Sequence, residues 1–272
     1  MSESCVVVVV DVAQCHDVLF VVCKSASSVI YRYDARCHQR LTDVIIHDVP
    51  VEEEDTTEPF GLAACEQTAH VYVLQFSAKC IRRVSEDGTN ITTWLSWTLN
   101  DAFQPSSVSV TADRLLVTSY DTNQLRQYDA NGNELRRVDL PDHMFPCHAV
   151  ASPSGTYVVS HYSTHLNQFQ VSQVDARGRE MCEFTSSSLS FDVAVDSRGN
   201  VMLADRDSCR ILLLDARMTL RRVLVDNHQL NYKQPLRLRY REQSGQLLVP
   251  VVDGRLAFFD VLPGQILNSY AG

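Results

Sequence analysis

Between the apolar runs "LLVTS" and "QLRQYD" lies "YDTN", Tyr120 to Asn123, which sets an aromatic ring, a carboxylate and an amide within one short break. Comparable breaks carry Lys24, then Phe76 and Lys79, then His161, Tyr162 and His165, and finally Arg206 and Asp207. With Tyr120, Asp121 and Asn123 these are the candidate partner-binding residues. Aromatic faces stack on peptide side chains or unpaired bases, while cations, carboxylates and amides fix orientation. A second group precedes other apolar runs: Phe60, Phe103, Phe145 and Phe191, with Gln104, Cys147 and Gln234 nearby. These phenylalanines either join the same binding rim or fill space between sheets.

Catalytic readings are less well supplied. Glu58, Asn123, His148 and Asp192 could hold a divalent ion that polarises an ester, as in a metal-dependent lactonase-like hydrolase, but no motif fixes them as a set. Cys147 and His148 are neighbours on one extended segment, so their side chains point to opposite faces. The nine cysteines contain no C-x-x-C pair, so a zinc site of ordinary local spacing is not expected. Several lie in apolar runs ("VVCK", "LAAC", "KCIRRV"), where a thiol acts as a small buried hydrophobe. No G-x-x-x-x-G-K loop is present. The reading is therefore a non-catalytic protein with no metal and no cofactor.

The elements that must position the candidates form a repeat. The window "LVTSYDTNQLRQYD" from Leu116 aligns without gaps to "VVCKSASSVIYRYD", "YVLQFSAKCIRRVS", "YVVSHYSTHLNQFQ", "MLADRDSCRILLLD" and "LLVPVVDGRLAFFD". The second position is always Val or Leu (Val22, Val73, Val117, Val158, Leu203, Leu248), and the tenth always Ile or Leu (Ile30, Ile81, Leu125, Leu166, Ile211, Leu256). The windows end at 34, 85, 129, 170, 215 and 260, intervals of 51, 44, 41, 45 and 45 residues. Such a period matches a four-stranded propeller blade, and helical periodicity is not visible. Each window reads as strand, turn, strand. An apolar strand precedes it ("CVVVVVDV", "FGLAAC", "SSVSVT", "CHAVAS", "FDVAVD", "LRLRY") and another follows, such as "ELRRVDL" or "EMCEF".

The expectation is an all-β, six-bladed β-propeller with four antiparallel strands per blade, a single domain over residues 1–272. The blades fall at about 5–48, 58–98, 104–140, 145–185, 189–226 and 234–271. Valines 6 to 10 then belong to an inner strand covered on both faces. No strand is exchanged between first and last blades, so closure rests on side-chain packing, with Phe258, Phe259 and the valines as candidates.

Net charge is −9 and the hydrophobic content 45%, ordinary for a globular chain and unfavourable for broad attraction to phosphate. The acidic run from Val51 to Glu58 strengthens that objection. The five-valine run lacks a basic flank and is too short for a membrane span, so a cytoplasmic protein without membrane contact is expected.

Blade five, "FDVAVDSRGNVMLADRDSCRILLLDARMTLRRVL", resembles the NHL repeat, with its Asp-x-x-Gly-Asn turn, "LAD" and Arg210 before the last apolar strand. Blade three follows more loosely. The run "ILLLDARMTLRRVLVDNHQLNYKQPLRLRYREQSGQLLV" is similar to the terminal blades of animal tripartite-motif NHL proteins. That resemblance implies a propeller recognising a protein or RNA partner. It does not extend to ligase activity, because neither a Cys/His zinc framework nor a heptad run is present. A protein or peptide partner is ranked first and RNA second.

Overall fold

Along the strand Val18–Lys24, Leu19, Val21 and Cys23 pack towards one neighbouring sheet, while Phe20 and Val22 pack towards the other. Side chains on successive strand residues project to opposite faces, so a strand apolar at both parities needs a sheet on each side. Repeated around a ring, that requirement is a propeller.

The structure is a computed structural model and describes residues 8–24, 29–46, 59–76, 78–98, 101–185, 191–262 and 265–271. It contains six separate four-stranded antiparallel sheets, each with its strands in chain order. Blade one is β1 (Val8–Cys15), β2 (Val18–Lys24), β3 (Val29–Asp34) and β4 (Val44–Ile45). Blade two is β5 (Pro59–Cys65), β6 (His70–Gln75), β7 (Cys80–Ser85) and β8 (Ile91–Ser96). Blade three is β9 (Pro105–Thr111), β10 (Arg114–Ser119), β11 (Gln124–Tyr128) and β12 (Glu134–Asp139). Blade four is β13 (Met144–Ala151), β14 (Tyr157–Ser163), β15 (Gln168–Val174) and β16 (Glu180–Thr185). Blade five is β17 (Phe191–Val195), β18 (Val201–Asp205), β19 (Arg210–Leu214) and β20 (Leu220–Val225). Blade six is β21 (Arg239–Arg241), β22 (Gln246–Pro250), β23 (Leu256–Leu262) and β24 (Gln265–Ala271).

The first strands of successive blades adjoin one another around the central channel. Apolar side chains gather in six clusters, one at each junction between neighbouring blades. The sixth closes the ring: Val9, Val12, Leu19, Val21 and Cys23 of blade one meet Leu248, Leu256 and Phe258 of blade six. Among the described residues the first and last sheets share no strand, and Arg239 reinforces the junction with an ion pair to Asp11 at 2.7 Å. Phe259 points the other way, into the junction of blades five and six.

The shared second position is buried in all six blades. The tenth is buried in five, and blade four is the exception, because Leu166 lies in an exposed turn. There Tyr157 pairs with Val174, whereas in blade five Val201 pairs with Leu214 and in blade three Leu115 with Tyr128. The blade-four hairpin is longer, so an ungapped alignment lost register on its second arm. Val174 occupies the place that Tyr128 and Leu214 hold in blades three and five, and Asp175, rather than the window's last residue Gln170, holds the turn that follows.

That turn recurs. Asp129, Asp175 and Asp215 each accept backbone N–H groups two and four residues on, through one carboxylate oxygen at 2.8–3.0 Å. Asp196 does the same between the first two strands of blade five. In Asp129 the side-chain bond from Asn133 adds to these donors, and the carboxyl is held below its usual range.

Adjacent arginine pairs recur in three blades, on different strands. Arg136–Arg137 and Arg221–Arg222 lie on fourth strands, but Arg82–Arg83 lie on β7, a third strand, where Arg82 bonds Gln75. In blade five, buried Asp205 pairs with Arg210 at 2.9 Å. No helix among the described residues is long and apolar enough to cross a membrane.

Candidate functional site

The turns joining second to third strands emerge at one mouth of the channel, here called the upper mouth. Those joining first to second and third to fourth strands emerge at the lower one. At the upper mouth a cavity of about 330 Å³ is lined by Phe76, Gln104, Ser106, Tyr120, Asp121, Pro146, Cys147 and Arg237. A larger cavity of about 490 Å³ opens at the lower mouth, walled by small residues such as Ala13, Ala63, Ala64 and Ala112 together with Tyr240 and Arg241. Charged groups line both, the lower one including Arg239 and Glu242, but only the upper cavity sets two aromatic rings, Phe76 and Tyr120, beside Asp121 and Arg237, so it is the stronger candidate for recognition.

Its aromatics stand out because they follow the last paired residue of a second strand. Phe76 comes directly after Gln75 of β6, and Tyr120 directly after Ser119 of β10. They are 44% and 41% exposed. Tyr120 packs against Phe145 with ring centroids 5.2 Å apart, which braces it on the rim. Burial raises the Tyr120 hydroxyl above its ordinary range, and Cys147 and Asp121 add to that, so it remains a neutral donor.

Beneath the rim lies a buried ionic network. Asp192 accepts the Leu238 N–H at 2.7 Å and faces Arg237 at 3.4 Å, Arg239 at 3.7 Å and His148 at 4.0 Å. Asp11 accepts the Leu62 N–H at 2.9 Å and pairs with Arg239. His148 contacts the Ser107 hydroxyl. Burial works against the Asp192 carboxylate, but His148, Arg237 and Arg239 outweigh it and hold its pKa below normal. Burial pushes Asp11 upward against the pull of Arg239. Burial also pushes His148 down to about 4, so it is neutral at ordinary pH.

Two arginines therefore balance two carboxylates, and the Arg237 guanidinium, 22% exposed, shows one edge to the cavity above. Burial disfavours that cation, yet Asp192 and Asp11 raise its pKa. A divalent ion would meet these cations at the oxygens it needs, so Asp192 and His148 are not arranged as ligands for one. Burial raises the Cys147 thiol to about 11, which leaves it protonated and a poor nucleophile.

The structure brings together Phe76, Tyr120 and Asp121, with Gln104 and Cys147 from the loops before inner strands. It does not gather all the others. His161 is fully buried on β14 and bonds Ser172 at 2.9 Å, so it is removed from the rim. Tyr162 bonds Asn167, and His165 stacks on His143 at 4.3 Å, both on the long blade-four hairpin. Asn123 takes a left-handed φ of 51° and donates to the Asp142 carbonyl, a structural duty. Lys79 shapes the turn after Phe76 with φ 45°. Arg206 reaches Gln234 at 3.4 Å, beside exposed Asp207. The Lys24, Phe60 and Phe191 side chains, with Glu58 and the rest of the acidic run, lie outside the described residues. Phe103 is wholly buried, with the Arg126 guanidinium 3.9 Å above its ring, so it fills space between blades.

Arg237, Arg239 and Asp11 were missed from sequence, though a signal existed. In "PLRLRYRE" arginine recurs at every second residue leading into an inner strand, and Asp11 interrupts a valine run. Charges buried between inner strands must find partners on the neighbouring blades.

No family model matches the chain, and no curated protein matches it. Solved structures resemble it in fold. A chain of a nidogen/laminin complex is 16% identical over 83% of this chain and 82% of that chain, with a TM-score of 0.62. A protein of unknown function from Bacteroides caccae is 15% identical over 93% of each chain, with a TM-score of 0.68. Fold and neighbours define a six-bladed β-propeller.

Proposed function

We propose that the chain is a recognition module that binds a protein or peptide at the upper mouth. The observation that carries this reading is the pairing of two half-exposed rings, Phe76 and Tyr120, around a cavity floored by a neutralised arginine, Arg237. The rings supply rigid contact area, and the guanidinium edge suits a carboxylate of the ligand. A similar fold in a nidogen/laminin complex is consistent with protein binding. The NHL-like pattern of blade five, and with it a kinship to tripartite-motif propellers and a cytoplasmic setting, belongs to the same proposal. RNA ranks second because the net charge of −9 works against a phosphate backbone.

The test is selection of peptides from a displayed library on the purified chain, followed by titration against the Phe76→Ala/Tyr120→Ala variant. Selected peptides should lose at least tenfold in affinity while the melting temperature changes little. Unchanged affinity would remove the site from this mouth. Single-stranded RNA bound with a steep salt dependence, in place of peptide, would put the second reading first.

A further inference from the structure

At the lower mouth the turn between β1 and β2 meets the turn between β7 and β8. Cys15 ends β1, and His16 begins the turn in a left-handed conformation with φ 46°. That backbone is held from both sides, since the His16 carbonyl accepts Gln14 Nε2 at 2.8 Å and an Arg241 N–H at 3.3 Å. The result sets the imidazole beside the thiol of the preceding residue, with His16 Nδ1 3.8 Å from Cys15 Sγ.

The third group comes from blade two. Glu86 Oε2 lies 2.9 Å from His16 Nδ1, and the three atoms Sγ, Nδ1 and Oε2 all fall within 4.8 Å of one another. Glu86 is anchored independently: its N–H donates to the Ala69 carbonyl at 3.0 Å, and its own carbonyl accepts the Arg32 guanidinium at 2.7 Å. Donors at roughly 2.0–2.3 Å from a tetrahedral zinc ion stand roughly 3.3–3.7 Å apart, a spacing that the 2.9 Å and 3.8 Å separations here bracket.

We infer that Cys15, His16 and Glu86 form a zinc-class cation site that clips blade one to blade two. The donor set decides the class. A thiolate with an imidazole selects a borderline or soft ion and disfavours calcium and magnesium, which seek oxygen. The His16 and Glu86 side chains are 47% and 28% exposed, so the cluster is open to solvent. A cost opposes binding: the Cys15 proton must pass to solvent, and burial holds that thiol up at about 12. The site therefore has modest affinity, well short of a four-thiolate centre. It escapes a search of local spacing because Cys15 and Glu86 come from different blades.

Cobalt(II) is the probe, titrated into the reduced, chelator-treated full chain and then displaced by zinc. One cobalt per chain should bind with a thiolate-to-metal charge-transfer band that zinc abolishes, and zinc should raise the melting temperature. Cys15→Ser should lose the band. His16→Asn, which tolerates the left-handed turn, and Glu86→Gln should each weaken binding at least tenfold and lose the zinc-dependent thermal shift. The last two alter partly exposed side chains and keep the test valid if Cys15→Ser fails to fold. Absence of the band in the unaltered chain overturns the inference, as does its persistence at full strength in both His16→Asn and Glu86→Gln.

Discussion

Blades four and five bury equivalent strand cores but differ in the hairpin and the turn around them. In blade five Ile211 is buried at the start of β19, and the turn after that strand places Met218 at a left-handed φ of 61°. Met218 is itself buried, filling the junction with blade four among Val158, Val171 and Leu212. In blade four the equivalent turn carries Gly178 at φ 78°, and a Cβ there would fall 1.9 Å from the Asp139 carbonyl oxygen of blade three. One blade uses the turn to pack a side chain, while the other uses it to bring two backbones together. The strands must satisfy the same inter-blade geometry in both cases, whereas the turns answer only to whatever neighbour lies beyond them.

That contrast can be broken by substitution. Ile211→Ala should cost about 2–5 kcal/mol in a urea titration, the range for emptying a sealed core site. A loss under about 1 kcal/mol would show that blade five is not packed as described. Gly178→Ala should cost about 2–4 kcal/mol, combining a left-handed alanine with an overpacked contact. Were it tolerated, the close approach of blades three and four would be wrong.

Acid sharpens the difference through His161, which lies in blade four's longer second strand. Burial pushes its pKa down to about 4, with Glu180 opposing and His143 assisting, against 6.5 in the unfolded chain. The unfolded state then binds more protons between those values. The stabilisation is complete above pH 6.5 and is lost as pH falls towards 4. His161→Gln should therefore remove about 2 kcal/mol of the stability difference between pH 7.5 and 4.5. Parallel pH profiles for variant and unaltered chain would count against burial of this ring. The smallest effect should come from Leu166→Ala, under about 0.5 kcal/mol, although Leu166 aligns in sequence with Ile211. A core-sized loss there would restore the ungapped register.

Much of the architecture was legible because strand alternation and a period of 41–51 residues are local properties of the chain. The six second positions and five of the six tenth positions are core in the structure. Blade four misled because a hairpin lengthened on both arms keeps its apolar alternation, so the window still matches while the pairing has moved. The site was partly legible. Tyr120, Asp121 and Phe76 were identifiable as turn residues, but turn position does not reveal which turns lean over the channel. His161 belongs to a longer strand and is buried, and Asn123 is consumed in holding its own loop.

The sequence by itself determined the strands, their number per repeat and the need for sheets on both faces, since these follow from side-chain parity and burial. Only the tertiary structure decided which charges meet. Asp11 and Arg239 lie at opposite ends of the chain, and Cys15 and Glu86 in different blades. Ring closure brings each pair together. Electrostatic and coordination distances of a few ångströms depend on the closed circle, and no local window contains that information.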